Sequence, residues 1–245
     1  MSLVAAIDYT ASNGNPALPE SLHYIGANNC YEAAIESVGL IVEPYDTDQS
    51  FPVFGFGGIP RHLGIDTVNH CFAINGNPMS PEINGISNIL STYRETLPQI
   101  SLGGPTLFAP LLKQFLSYVQ SLEGAQYYQI LLLLTDGTIH DMSMVRQLIV
   151  ELSEYPVSII IVGIGEADFE AMEELDGDED ELRNDYGKPC ARDIVQFVEF
   201  NASIQRGDLA EQVLKEVPEQ LCSHMERIGF KPIAIDQDIL SNKDN

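Results

Sequence analysis

The hydrophobic pattern of the chain predicts strands that alternate with helices. Apolar runs predict strands at Leu3–Ile7, Phe51–Gly57, Cys71–Ile74, Tyr128–Thr135, Val157–Val162 and Ile194–Phe200. Two of these runs, YQILLLLT and VSIIIV, are apolar on both faces, which is typical of strands buried inside a parallel sheet. Intervening segments predict helices at Cys30–Val42, Asn84–Leu97, Phe108–Leu122, Ser143–Ser153, Ala167–Leu175 and Gln205–Arg227. We therefore expect an α/β fold of three layers: a doubly wound, mostly parallel sheet with helices on both faces.

Length and composition favour one folded domain followed by a short tail. The chain has 245 residues, 44% of them hydrophobic, which is enough to build a sizeable core. We find no internal repeat and no low-complexity linker. The periodicity ends near residue 228, so we predict a domain over residues 1–228 and an extended or disordered tail over residues 229–245.

The charge balance restricts the partners that the chain can attract. There are 12 Lys and Arg residues against 36 Asp and Glu residues, a formal net charge of −24. Nucleic-acid binders need clustered basic residues to neutralise phosphates, so we expect no nucleic-acid partner. Direct attraction to anionic lipids is disfavoured in the same way, whereas binding of cations is favoured. Four widely spaced cysteines without a C-x-x-C pair fit reduced thiols, and we expect a cytoplasmic location.

Polar side chains follow the predicted buried strands, where ligands bind in doubly wound sheets. Asp8, Thr10 and Ser12 follow the first strand as D-x-T-x-S, Asp136 follows YQILLLLT, and Thr106 lies in the Gly-Gly-Pro-Thr loop. An extended loop would present the oxygens of every second residue to one centre. Three loops thus supply two carboxylates and three hydroxyls, a hard-oxygen set that suits Mg²⁺, Mn²⁺ or Ca²⁺ rather than zinc. The alternative is that Asp8 and Asp136 only cap the helices that follow them.

Catalysis with the same residues is a second hypothesis. Two carboxylates with Mg²⁺ would also suit a phosphotransferase or phosphohydrolase using the same pocket. However, phosphatases whose first strand ends in D-x-D need a second aspartate, and Thr10 occupies that position. A phosphate-binding G-x-x-x-x-G-K-[ST] loop, the kinase motifs and a G-x-S-x-G elbow are also absent from the sequence. We therefore expect a domain that is not an enzyme.

The order of these motifs resembles a von Willebrand factor A domain with a metal-ion-dependent adhesion site, and in particular the A domain of the copine family. The segments that carry the resemblance are AIDYTASNG at 6–14, SLHYI at 21–25, FPVFGFGG at 51–58, GPT at 104–106, LLTDG at 133–137, SIIIVGIGEADFEAME at 158–173, LDGD at 175–178 and ARDIVQFV at 191–198. The D-x-[ST]-x-S motif alone is a modest signal. The long segments around the last two strands are highly specific.

The resemblance implies which residues hold the metal and what they do. Asp8, Thr10 and Ser12 would contact the ion, and Thr106 and Asp136 would complete its shell directly or through water. Thr10 stands where the superfamily pattern has serine, so we expect altered packing around the extra methyl group with metal binding retained. One metal position would stay open for an acidic residue of a protein partner. The cation would then bridge two anionic proteins that otherwise repel each other.

The resemblance also implies a larger parent protein. Copines join two calcium-dependent phospholipid-binding domains to this A domain, and this chain does not contain that lipid-binding half. We therefore expect a calcium-responsive cytoplasmic scaffold that associates peripherally with membranes, through domains absent from these 245 residues.

Overall fold

The computed structural model describes residues 1–230 except 28, 47, 123–126 and 178–179. Its strands are β1 Ser2–Asp8, β2 Ser50–Phe56, β3 Gly58–Pro60, β4 Phe72–Ala73, β5 Glu82–Asn84, β6 Ile100–Leu102, β7 Gln129–Thr135, β8 Val157–Gly163 and β9 Val195–Glu199. Its helices are α1 Cys30–Val42, α2 Ile86–Thr96, α3 Ala109–Ser121, α4 Met142–Leu152, α5 Glu170–Asp176, α6 Phe200–Arg206, α7 Leu209–Leu214 and α8 Val217–Arg227. The predicted tail lies outside the described residues from 231 onward, and there it stays a prediction.

The main sheet is parallel through its five central strands. They run in the order β2-β1-β7-β8-β9, while β4 and β5 pair with β2 in the antiparallel direction. Helices α1, α2 and α7 cover one face, and α3, α4 and α5 cover the other. This arrangement confirms the three-layer α/β prediction. None of the described helices is long and apolar enough to cross a membrane.

The alternation of side chains along the central strands explains why both faces are apolar. In β1, Leu3, Ala5 and Ile7 pack into one core, and Val4 and Ala6 pack into the other. All seven residues of β7 are buried, and so are all seven of β8. A strand with helices on both sides has no solvent face, so its sequence is a continuous apolar run.

The order and direction of the strands determine where ligands can bind. β1 lies beside β7, and the chain leaves β1 toward β2 on one side of the sheet but leaves β7 toward β8 on the other side. Such a switch point opens a crevice beyond the carboxyl ends of the two strands. Asp8 ends β1 and Asp136 directly follows β7, so both carboxylates lie at this crevice.

The predicted helix over Gln205–Arg227 is wrong. The segment contains three helices, and the first, α6, already begins at Phe200. Gly207 ends α6 with a φ of 76°, a left-handed conformation that glycine adopts without strain. Pro218 lies in the first turn of α8, where its missing N–H is tolerated, although it would break a helix interior. The apolar spacing of the segment suited one helix, but Gly207 and Pro218 interrupt it.

Three short strands were not predicted, and one predicted strand runs antiparallel to its neighbour in the mostly parallel sheet. β3 and β6 form a small antiparallel sheet of their own, and β5 includes Asn84, which the sequence pattern places in a helix. β4 is only two residues long and antiparallel to β2, within the predicted strand Cys71–Ile74. Strands of two or three residues carry too few side chains to show a periodicity.

Candidate metal centre

Asp8 is held at the end of β1 by hydroxyl groups from two segments. Its Oδ1 accepts hydrogen bonds from the Thr10 backbone N–H at 2.8 Å and from Thr10 Oγ1 at 2.6 Å. Its Oδ2 accepts one from Thr135 Oγ1 at 2.8 Å, across the strand pair β1–β7. Asp8 is fully buried and does not cap a helix, so the capping alternative is wrong for this residue.

The D-x-T-x-S segment converges through a turn and not through an extended loop. Thr10 is extended, but residues Ala11–Asn13 form a single 3₁₀ turn. This turn brings Ser12 Oγ to 3.0 Å from Thr10 Oγ1. Because Thr10 donates its one hydroxyl proton to Asp8, its Oγ1 acts as an acceptor, toward Asn13 Nδ2 at 3.3 Å, toward Ser12 or toward a cation. The predicted convergence is present, but the predicted cause of it is wrong.

Asp136 brings the second carboxylate to the same place. It is buried, and its Oδ1 accepts no hydrogen bond from the described residues. The residue that begins the next helix, α4, is Asp141, so Asp136 does not cap it either. A buried carboxylate oxygen without a partner is costly, and a bound cation would remove that cost.

Burial raises the pKa of both carboxylates. For Asp8 the pKa rises to about 7, first because burial penalises the charged form and second because the Asp136 charge is close. The hydroxyls of Thr10 and Thr135 oppose this rise by hydrogen bonding to the carboxylate. Burial also raises the pKa of Asp136, and the Ser12 hydroxyl opposes it. None of the ion pairs between described residues reaches either carboxylate, so both lack a cationic partner within the chain.

Thr106 lies on the third loop and is buried. Its backbone N–H donates to His140 Nδ1 at 3.2 Å, and its carbonyl accepts from the His140 N–H at 3.0 Å. These two contacts attach the Thr106 loop to the segment that follows Asp136. No hydrogen bond of the described residues joins Thr106 to the other four predicted residues. The structure therefore gathers Asp8, Thr10, Ser12 and Asp136, and it attaches the Thr106 loop to the segment that follows Asp136.

A buried polar network that the sequence interpretation missed supports the metal loop. His23 lies between the Asp8 carbonyl, 2.6 Å from Nε2, and Tyr93 Oη, 2.6 Å from Nδ1. Because a carbonyl only accepts, Nε2 carries the proton, and Nδ1 accepts from the tyrosine. Burial lowers the pKa of His23 to about 3, so the ring is neutral. The SLHYI segment contributes to the family resemblance, but nothing in it indicates a contact with Asp8.

A second set of contacts fixes the turn after Thr10. Asn13 Nδ2 donates to the Thr10 carbonyl at 3.2 Å, and Tyr31 Oη donates to Asn13 Oδ1 at 2.8 Å. The Ala11 N–H donates to the Gly103 carbonyl at 2.6 Å, which joins the turn to the loop that leads to Thr106. The hydroxyls and carboxylates are thus positioned before any ion binds, and this reduces the ordering that binding requires.

The donor set fits a hard divalent cation. It consists of carboxylate and hydroxyl oxygens without nitrogen or sulfur, which suits Mg²⁺, Mn²⁺ or Ca²⁺. The described residues contain no cluster of three or more His, Cys, Asp or Glu side chains that would hold a metal by themselves. A cation here would therefore rely on the hydroxyls as well as on the two carboxylates.

The Thr10 methyl group occupies space that a glycine leaves open. Gly57 has a φ of 76°, and a Cβ built on it would lie 2.1 Å from Thr10 Cγ2. We predict that Gly57→Ala lowers the free energy of unfolding by about 2–4 kcal/mol, through this overlap and left-handed strain, and weakens metal binding. Thr10→Ser alone should cost about 1 kcal/mol and keep metal binding.

The double variant tests whether the two residues fit each other. Removing the methyl group in Gly57→Ala/Thr10→Ser should recover about 1–3 kcal/mol of the loss, as measured by urea denaturation. Calorimetric titration with MnCl₂ should show binding restored in the double variant. Purely additive losses would contradict the contact, because the coupling would then be zero.

Comparison with known proteins places this geometry in a family. The copine family model matches residues 21–233. Protein BONZAI 1 of Arabidopsis thaliana is 42% identical over 242 residues, covering 95% of this chain and 41% of that protein. Protein BONZAI 2 of the same plant is 42% identical over 240 residues, covering 95% and 40%. The chain therefore spans about two fifths of the length of these relatives.

Solved structures share the fold at low sequence identity. Manganese-loaded TRAP protein of Plasmodium vivax has a TM-score of 0.52 and 14% identity, covering 83% of this chain and 70% of that one. The SpRpn10 VWA domain has a TM-score of 0.50 and 12% identity, covering 81% and 86%. At such identities the likeness concerns the fold alone. From the family model and these relatives, the chain belongs to the copine family and has the fold of a von Willebrand factor A domain.

Proposed function

We propose that this chain is a divalent-metal-dependent protein-interaction domain of a copine-type scaffold, and that it is not an enzyme. The observation that carries the proposal is the pair of buried carboxylates, Asp8 and Asp136, which are grouped with the Thr10 and Ser12 hydroxyls and have no ion-pair partner among the described residues. Von Willebrand factor A domains commonly mediate metal-dependent protein interactions. The TRAP protein of Plasmodium vivax was solved with manganese bound, and Mn²⁺ is one of the divalent cations that we propose for this chain.

In this proposal Asp8, Thr10 and Ser12 would contact the ion, and Thr106 and Asp136 would complete its shell directly or through water. Asp8 also accepts hydrogen bonds from the hydroxyls of Thr10 and Thr135. When bound, the ion would supply a Lewis-acidic position for a carboxylate of the partner. His23 and Asn13 hold the loop so that the oxygens do not rearrange. The net charge of −24 makes approach by an acidic partner unfavourable without the ion.

The location of the parent protein is part of the proposal. We propose a cytoplasmic scaffold in which calcium-dependent lipid binding belongs to segments outside this chain. Peripheral membrane association would then need those segments, because the acidic surface of these 245 residues does not attract anionic lipids.

Metal-dependent capture tests the proposed function. We predict that the immobilised chain retains proteins from a cytosolic extract in MgCl₂, that EDTA releases them, and that Asp136→Asn fails to retain the same proteins. Calorimetric titration with MgCl₂ and MnCl₂ measures the ion directly. Equal retention in EDTA would contradict the proposal, as would Mg²⁺-dependent turnover of ATP or p-nitrophenyl phosphate that Thr106→Ala abolishes.

A further inference from the structure

An open groove of about 510 Å³ lies beside the candidate metal centre. One wall comes from the turn and loop after β1, which contribute Ala11 and Ile25. The other wall comes from the end of α2 through β6 and contributes Leu97, Ile100 and Leu102. Ile25 is 55% exposed, so a large aliphatic side chain stands at the surface here. We call this feature the uncharged groove.

The groove is uncharged although the chain is rich in charge. Charged residues make up 20% of the sequence, yet residues 9–19 and 97–107 contain no Asp, Glu, Lys, Arg or His. The residues that line the groove carry no charge either. An apolar concave surface of this kind binds apolar side chains by removing them from water.

The groove is continuous with the loop that carries the metal residues. Ala11 lies between Thr10 and Ser12 in the sequence and lines the groove. Its N–H donates to the Gly103 carbonyl, and Gly103 directly follows Leu102 of the opposite wall. The candidate metal residues and the groove therefore share one loop.

The charges around the centre favour the groove side for an anionic ligand. On the other side, the backbone of Asp168 lies close to Gly137, next to Asp136, and Glu166 and Asp168 are exposed. Those carboxylates repel an acidic residue. On the groove side the guanidinium of Arg61 donates to Ser101 Oγ at 3.3 Å and pairs with Asp66, so this rim adds no net negative charge.

We propose that the partner presents an acidic residue next to a bulky aliphatic or aromatic residue. The carboxylate completes the shell of the metal, and the apolar side chain enters the uncharged groove. This inference rests on the proposed function, since it needs the bound cation. It adds the chemistry of the recognised segment: an acidic and an apolar side chain, adjacent or one residue apart, in one exposed stretch of a protein.

Peptide selection tests this inference with the whole chain. A display library of random linear peptides is panned against the chain in MnCl₂, and the enriched peptides are synthesised for fluorescence anisotropy. We expect enriched sequences that combine Asp or Glu with Leu, Ile, Met or Phe. Ile25→Ser should weaken their binding about tenfold, because a buried aliphatic contact is lost. Leu40→Ser is the matched control, since Leu40 is 60% exposed on α1 and outside the groove.

Mn²⁺ titration of the same variants separates the two proposals. We expect wild type, Ile25→Ser and Leu40→Ser to bind Mn²⁺ with equal affinity. If they do, but enriched peptides lack an apolar residue or bind Ile25→Ser unchanged, the groove inference is overturned while the proposed function stands. Peptides that bind equally in EDTA would overturn it as well. Failure of the wild type to bind Mn²⁺ would overturn the proposed function, and the inference with it.

Discussion

Replacing Asp136 with asparagine is expected to weaken Mg²⁺ binding at least a hundredfold and to stabilise the metal-free protein. The Mg²⁺ affinity should fall because the predicted site has two carboxylates, and metal affinity depends on ligand charge. The metal-free protein should become more stable because Asp136 is a buried carboxylate near Asp8, and its Oδ1 accepts no hydrogen bond from the described residues. Removing a buried like charge should raise the metal-free free energy of unfolding by about 1–2 kcal/mol.

Two measurements check this opposite pair of effects. Calorimetry with MgCl₂ gives the affinity, and urea denaturation in EDTA gives the stability. Asp66→Asn is the control, because it also removes one negative charge, but from a side chain that is 87% exposed and paired with Arg61. It should leave both quantities nearly unchanged. If Asp136→Asn instead destabilised the metal-free fold, Asp136 would hold the structure together and would not be reserved for an ion.

The long central strands of the sheet and the position of the candidate site could be predicted because local pattern determines both. β7 and β8 are buried on both faces, so their sequences are continuous apolar runs. Parallel strands bring their carboxyl ends to one edge, so the polar residues that follow β1 and β7 had to meet there. Asp8, Thr10, Ser12 and Asp136 are gathered for this reason.

The contacts that support the site could not be predicted because their partners are distant in the sequence. Tyr93 reaches His23 from α2, and Tyr31 reaches Asn13 from α1. Neither tyrosine differs in pattern from an ordinary core residue of an amphipathic helix. The fit between Gly57 and the Thr10 methyl group is hidden in the same way, because it depends on the packing of two neighbouring strand ends.

The second prediction concerns pH: without metal, the Asp8 contribution to stability should fall as pH rises from about 4 to about 7. In the unfolded chain Asp8 has a pKa near 3.8, whereas in the folded protein burial and the Asp136 charge raise it to about 7. The folded state therefore holds a proton that the unfolded state has released, which favours folding at low pH. This contribution is complete below the unfolded pKa and is lost as pH passes the folded pKa. The expected change is on the order of a few kcal/mol.

Metal should reverse this trend, because a cation and a proton compete for the same carboxylates. The stabilisation by saturating Mg²⁺ over EDTA should therefore be small near pH 5 and increase toward pH 8, as measured by urea denaturation across that range. Asp8→Asn serves as the reference: it cannot titrate at this position, and it retains every other group whose ionisation changes with pH. The slope that wild type shows in EDTA beyond that of Asp8→Asn belongs to Asp8 together with its effect on the titration of Asp136. Parallel profiles for the two proteins would show that the Asp8 carboxylate is already ionised in the metal-free fold, and that its burial is compensated by the hydroxyls of Thr10 and Thr135 without an ion.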